Sequence, residues 1–104
     1  MGKIIKLNEI DFKTNLKRED IIAISELYNK DKGKPYEIDT EHILYDTNED
    51  AYVVDEPVWI VFIIHEKYKE RFPDAHFMLH ISDREGRVVY VQNDHGRVIE
   101  KYDN

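Results

Sequence analysis

Cysteine is absent from this chain of 104 residues. Its absence excludes disulfides, thiolate zinc sites, iron–sulfur clusters and cysteine nucleophiles. Glycine is scarce: the four glycines stand at positions 2, 33, 86 and 96, so no two of them share a phosphate-binding motif. Neither of the two serines, Ser25 and Ser82, lies in a nucleophile elbow. From these absences we predict no catalytic residue and no cofactor.

Long hydrophobic runs are also missing. None approaches the ~20 residues that a membrane-spanning helix needs. The first six residues lack the apolar core and the small-residue cleavage site of a signal peptide. Lys6 stands where N-myristoylation requires serine or threonine. We therefore expect residues 1–104 to form one soluble, cytoplasmic domain that does not bind a membrane.

Lysine and arginine are absent from residues 35–66, a stretch that carries nine carboxylates within a chain of net charge −7. Such a field attracts a basic protein and repels nucleic acid. We predict a partner-binding surface made of acidic residues and nearby tyrosines. Its residues are Glu37, Asp39, Glu41, Asp46, Glu49, Asp50, Asp55, Glu56, Tyr45 and Tyr52. The alternative is a solvated face that only keeps a small protein soluble.

Neither of two candidate metal sites meets the requirements for binding an ion. Residues 46–50 begin like a calcium loop, but Ala51 replaces the required glycine and Pro57 replaces the bidentate glutamate. His76 and His80 share a strand face about 13 Å apart, at ~3.3 Å per residue, which is too far for one ion. We therefore predict no metal site.

One helix is predicted over residues 16–32, capped by Asn15 or Thr14 and stopped by Gly33. Apolar residues at helical spacing would form its buried stripe. These are Ile21, Ile24, Leu27 and Tyr28.

Residues after the helix follow a period of two, which is typical of strands. We predict strands over 36–45, 51–54, 58–65, 76–82, 87–92 and 97–102, and a short strand or an arm within 1–12. Residues 83–86 form a hairpin turn in which Gly86 takes a positive φ. The expected core beside the helix stripe comprises Trp59, Val61, Ile63, Phe77, Leu79, Ile81, Val89 and Val91. The predicted fold is α+β: one main helix packed on a curved antiparallel sheet of four to six strands, with a C-terminal meander.

Element order and short motifs resemble those of small bacterial immunity proteins with a nuclear-transport-factor-2-like or cystatin-like fold, and more distantly PepSY-type domains. The resemblance covers residues ~17–92. Its motifs are Trp59-Ile60-Val61 on a strand and the turn that runs from Asp83 through Gly86 to Val88. The resemblance implies a binding role rather than a catalytic one, in which complementary charge blocks a toxin.

Three functional interpretations remain open. We favour a non-enzymatic domain that docks a basic protein partner through the acidic surface. The second is a small ligand-binding or enzymatic domain with a pocket between helix and sheet that contains His65 or His80, because histidine titrates near neutrality. The third is a homodimer that covers a second apolar sheet face. That face would carry Val58, Ile60, Phe62 and Ile64.

Overall fold

The computed structural model describes residues 4–10, 13–31, 36–47, 56–65, 77–93 and 97–101. One helix, α1 (Arg18–Asp31), and a short 3₁₀ turn (Leu7–Glu9) accompany seven strands within these ranges. The strands are β1 (Ile4–Lys6), β2 (Tyr36–Ile38), β3 (Leu44–Asp46), β4 (Val58–His65), β5 (Phe77–Ser82), β6 (Val88–Asn93) and β7 (Val98–Lys101). All strand pairs are antiparallel, in the order β1-β3-β4-β5-β6-β7, and β2 also pairs with β4.

The predicted α+β fold is confirmed, and the meander comprises β4 to β7. Within the described ranges the sheet has seven strands instead of the four to six predicted, because the N-terminal segment adds β1 and because the predicted long strand over 36–45 is divided into β2 and β3. The predicted strand over 51–54 lies outside the described residues.

Strand alternation sends the odd-numbered residues of β4 toward the helix. Trp59, Val61 and Ile63 pack with Ile21 and Tyr28 of α1, and we call this side of the sheet the helix face. The even-numbered residues of β4 point to the opposite side, which we call the far face. The cross-strand pairs Trp59–Ile81 and Val61–Leu79 continue the helix face across the sheet and so fix its register.

Two predicted core residues lie elsewhere. Leu27 is 57% exposed, because the buried stripe of α1 follows Ile21, Ser25 and Tyr28 and Leu27 lies about 100° to one side of Tyr28. Val89 packs against Val58 and Tyr90 in a separate cluster. It does so because a bulge shifts the β5–β6 register between His80 and Ile81, which changes the alternation along β6.

The helix begins at Arg18 and is capped by other residues than predicted. The side chain of Asn15 donates to the backbone carbonyl of Asp83 (2.8 Å), and the Thr14 hydroxyl donates to the carbonyl of Leu16 (2.6 Å). The Asp20 carboxylate instead accepts the backbone N–H of Lys17 (2.9 Å), which is one of the two hydrogen bonds of a capping box.

Asp83 joins the helix start to the sheet. Its carboxylate accepts the backbone N–H groups of Asn15 (3.0 Å) and Leu16 (2.9 Å) and the indole N–H of Trp59 (2.8 Å). The side chain of Trp59 also meets Tyr45 edge to face, with ring centroids 5.1 Å apart. This buried carboxylate therefore connects β4, the β5–β6 turn and the segment before α1.

Candidate functional site

A break between β2 and β3, the two strands that pair with the same side of β4, creates a shaped surface. Ile38 pairs with Ile63 and Leu44 pairs with Ile60. Six residue steps separate Ile38 from Leu44, but only three separate Ile63 from Ile60 along β4. The chain that runs beside β4 therefore contains three extra residues. The five residues 39–43, three more than the two residues of β4 opposite them, form a loop between β2 and β3 that we call the 39–43 loop.

Asp39 organises this loop. Its backbone N–H donates to the carbonyl of Phe62 (2.9 Å), which holds the loop against β4. One carboxylate oxygen accepts the backbone N–H of Glu41 (3.1 Å), and the other lies 2.7 Å from Nδ1 of His42. Burial alone would raise the pKa of Asp39, but these hydrogen bonds outweigh it and lower the pKa below its usual value. Asp39 is therefore ionised at neutral pH and shapes the loop by local hydrogen bonds.

Two further contacts fix the loop on the scaffold. The guanidinium of Arg18, at the start of α1, donates to the carbonyl of Thr40 (3.2 Å). Ile43 turns inward and is 1% exposed in the helix-face core. The loop is thus held by its backbone and by one apolar anchor, while the imidazole of His42 is 71% exposed.

Three surface grooves meet at the 39–43 loop. The first, of about 320 Å³, lies on the far face and is lined by Asp39, His42, Leu44, Phe62 and Ile64. The second, of about 270 Å³, is lined by Ile64 and residues 37–41. The third, of about 350 Å³, lies between residues 6–8 and residues 41–44. The first two share Asp39 and Ile64, so an apolar floor adjoins an acidic wall.

The predicted acidic surface is divided by this arrangement. Glu37, Asp39 and Glu41 come together at the second groove. Asp46 lies opposite Val58 at the other end of β4, about 20 Å along the strand at ~3.3 Å per residue. Glu56 accepts a short hydrogen bond from the Ser82 hydroxyl near that same end. Glu49, Asp50, Tyr52 and Asp55 lie outside the described residues.

Tyr45 does not lie beside the carboxylates at the surface. Strand alternation places it on the helix face, where it packs on Trp59 and is 5% exposed. Burial raises the pKa of Tyr45, and the charge of Asp83 raises it further. We therefore leave Tyr45 out of the binding surface.

His80 lies on the far face rather than between helix and sheet, because its strand neighbours Leu79 and Ile81 occupy the helix side. Its ring stacks on Tyr90, with centroids 3.9 Å apart. Burial lowers the pKa of His80 to about 4, although Gln92 acts in the opposite direction. The backbone of His65 lies opposite Tyr36, and its side chain is outside the described set.

A groove of about 260 Å³ does lie between helix and sheet, but no histidine lines it. Its walls are Ile24, Leu27, Tyr28, Asp31 and residues 86–88. In the described ranges, no group of three or more His, Cys, Asp or Glu side chains is placed to hold a metal ion. Likewise, no helix in those ranges is long and apolar enough to cross a membrane.

His42 is the site residue that sequence analysis missed. Its only signal is the spacing of Asp39 and His42, three residues apart in a stretch without lysine or arginine. A predicted continuous strand would place the two side chains on opposite faces, so the signal has no meaning until the break in the strand is known.

Comparisons of the chain with known protein families, curated proteins and solved structures found no match.

Proposed function

We propose that this chain is a non-enzymatic protein-binding domain that docks a basic partner through the acidic surface around the 39–43 loop. The observation that carries the proposal is the meeting of concave grooves with carboxylates at one loop. A rigid sheet that presents an irregular loop is a common arrangement for recognition.

The charges of the loop support a cationic partner. In the described part of the chain, the side chains of Asp39 and Glu41 have no lysine or arginine partner within ion-pair distance. The whole chain also carries a net charge of −7. Both features increase the rate of association with a basic protein and disfavour binding to nucleic acid.

The resemblance to immunity proteins suggests the biological setting. An immunity-like inhibitor in the cytoplasm would neutralise a basic toxin by covering part of its surface. The acidic surface at the 39–43 loop matches the charge that such an inhibitor needs, and a loop held by Asp39 and Arg18 would lose little conformational freedom on binding.

A charge-matched pair of double variants tests this function. Asp39→Asn with Glu41→Gln removes two charges from the loop while the Asn side chain retains an oxygen that can accept the Glu41 N–H. Glu26→Gln with Asp31→Asn removes two charges from exposed positions on α1, on the other side of the sheet. Proteins captured by each tagged variant are compared at low and high salt.

We expect wild type and the helix variant to capture the same basic protein at low salt, and the loop variant to lose it. High salt should release it because the distance over which exposed charges interact falls to about 3 Å at 1 M salt. Equal capture by all three proteins, or equal loss in both double variants, would contradict the role of the loop.

A further inference from the structure

The groove on the far face gives the proposed partner a more specific chemistry. Its floor is apolar: Leu44, Phe62 and Ile64 come from two neighbouring strands, and all three side chains are partly exposed. By contrast, Val58 and Ile60, on the same face of β4, are 0% and 5% exposed. Along β4, the far face is therefore open beside the 39–43 loop and buried toward Val58.

The wall of this groove is charged. Asp39 lines both the apolar groove and the adjoining acidic groove, which Glu41 also lines. An apolar side chain that enters the first groove therefore brings its chain neighbours close to carboxylates. In an extended peptide, side chains two residues apart project to the same side, about 6.6 Å from one another. Adjacent grooves of opposite character suit a segment with this alternation.

Resting on the proposed function, we infer that the site binds an extended basic segment of a protein partner, in which an apolar side chain enters the Leu44–Phe62–Ile64 groove and a lysine or arginine two residues away meets Asp39 and Glu41. Apolar burial supplies affinity, and the carboxylates select the charge of the neighbouring residue.

A second copy of this chain fits the groove poorly. Two copies joined at this groove would bring Asp39 and Glu41 of each copy together, and Lys6, opposite Leu44, would supply one cation per copy against these two carboxylates. Like charges across an interface cost affinity and discriminate against the wrong partner. The complementary occupant is therefore a cationic segment from another protein.

Three labelled peptides probe the site. The first is Ser-Arg-Ser-Phe-Ser-Arg-Ser, the second replaces its phenylalanine by serine, and the third replaces both arginines by glutamate. Binding is measured by fluorescence anisotropy with the full chain. We expect the first peptide to bind at least about tenfold more tightly than either of the others, a difference of about 1.4 kcal/mol.

Variants of the chain test the apolar and the charged parts of the interaction separately. Phe62→Thr and Ile64→Thr reduce the apolar floor while they keep strand-compatible residues, and Leu27→Ser is the control because Leu27 is 57% exposed on the helix. We expect about fivefold weaker binding or more for either floor variant, no change for Leu27→Ser, and loss of binding for Asp39→Asn with Glu41→Gln. Circular dichroism spectra that match wild type establish that each variant is folded.

The outcomes separate this inference from the proposed function. If the peptide without phenylalanine binds as well as the first and the floor variants bind normally, the acidic surface remains supported as a binding site. The inference that the apolar groove takes part in binding is then wrong. If the glutamate peptide binds equally, or the loop variant keeps full affinity, the proposed function itself fails. Absence of saturable binding below about 1 mM, or a dimer in sedimentation that Ile64→Thr abolishes, overturns the inference.

Discussion

At the scale of the residue, Asp83 connects segments that are distant in the chain. It is 8% exposed, and its carboxylate accepts three N–H groups from Asn15, Leu16 and Trp59. Replacement by alanine would leave these donors without their acceptor. Unsatisfied buried donors cost about 1–3 kcal/mol each before water and local relaxation compensate. We expect Asp83→Ala to lower the free energy of unfolding by about 3–5 kcal/mol in urea titrations.

Two further variants make this prediction specific. Asp83→Asn keeps one carboxyl-like oxygen and should cost less than Asp83→Ala. Arg84→Ala changes the exposed neighbour in the same turn and should change stability by about 0.5 kcal/mol or less. Equal effects of all three substitutions would indicate that the turn as a whole, and not the carboxylate, matters.

His80 should make the stability of the chain depend on pH. Burial lowers the pKa of His80 from 6.5 to about 4 in the folded state. The unfolded chain therefore binds the proton first as the pH falls, so the contribution is complete above pH 6.5 and is lost as the pH falls toward 4. The shift corresponds to about 3 kcal/mol. Phenylalanine keeps a ring against Tyr90 but cannot be protonated.

The measurement is a comparison of unfolding free energies at pH 7 and pH 4 for wild type and His80→Phe. Carboxylates titrate in both proteins, so the difference between the two pH effects isolates His80. We expect wild type to lose about 3 kcal/mol more than the variant over this range. An identical loss in the two proteins would mean that His80 is accessible to protons in the folded state.

At the scale of the element, the β5–β6 hairpin depends on one backbone conformation. Gly86 has a φ of +69°, and a Cβ built there would lie 3.8 Å from Leu16, an ordinary contact. The cost of a side chain therefore comes from the backbone and not from crowding. A left-handed conformation costs a non-glycine residue roughly 1–2 kcal/mol. We expect Gly86→Ala to lower the free energy of unfolding by about 1–2 kcal/mol, and the thermal midpoint should fall as well.

Gly86→Asn is the matched control, because asparagine adopts the left-handed region more readily than alanine. It should therefore destabilise the chain less than Gly86→Ala, even though its side chain is larger. A greater loss with asparagine would point to steric conflict with Leu16 as the dominant effect.

The sequence predicted elements better than it predicted their irregularities. The helix, β4 and the β5–β6 hairpin were foreseen because apolar periodicity and the glycine turn are local signals. The break at the 39–43 loop was not foreseen, because residues 36–45 keep a strand-like pattern and the three extra residues become visible only when two partners on β4 are known. The bulge that moved Val89 out of the predicted core is likewise a property of the pair of strands.

Several residues of the candidate site could be predicted from the sequence, but their arrangement depends on strand pairing and could not. Charge identified Glu37, Asp39 and Glu41, and strand alternation identified Phe62 and Ile64 as a second apolar face. Their proximity follows from the pairing of β2 with the second half of β4, which the sequence does not reveal. Burial of Tyr45 was missed because tyrosine is common both in strands and at interfaces, so the residue type does not distinguish the two positions.

At the scale of the whole molecule, we expect the chain to remain monomeric at neutral pH. Two of the four apolar far-face residues on β4, Val58 and Ile60, are already buried within one copy. The open remainder lies beside Asp39 and Glu41, so self-association would join like charges. Sedimentation velocity at low and high salt is the measurement. A dimer that strengthens at low salt would contradict the electrostatic argument.

The three additional residues between β2 and β3 have a consequence for how this scaffold can diversify. The pairing of β2 and β3 with β4 is complete on either side of them, and the β4–β5 register does not pass through them. Changes in loop length or sequence that keep Ile43 in the core and the Asp39 N–H bond to Phe62 need not disturb the sheet, since surface insertions carry a small entropic cost. Variation confined to this interruption would therefore change what the surface binds while the core stays the same.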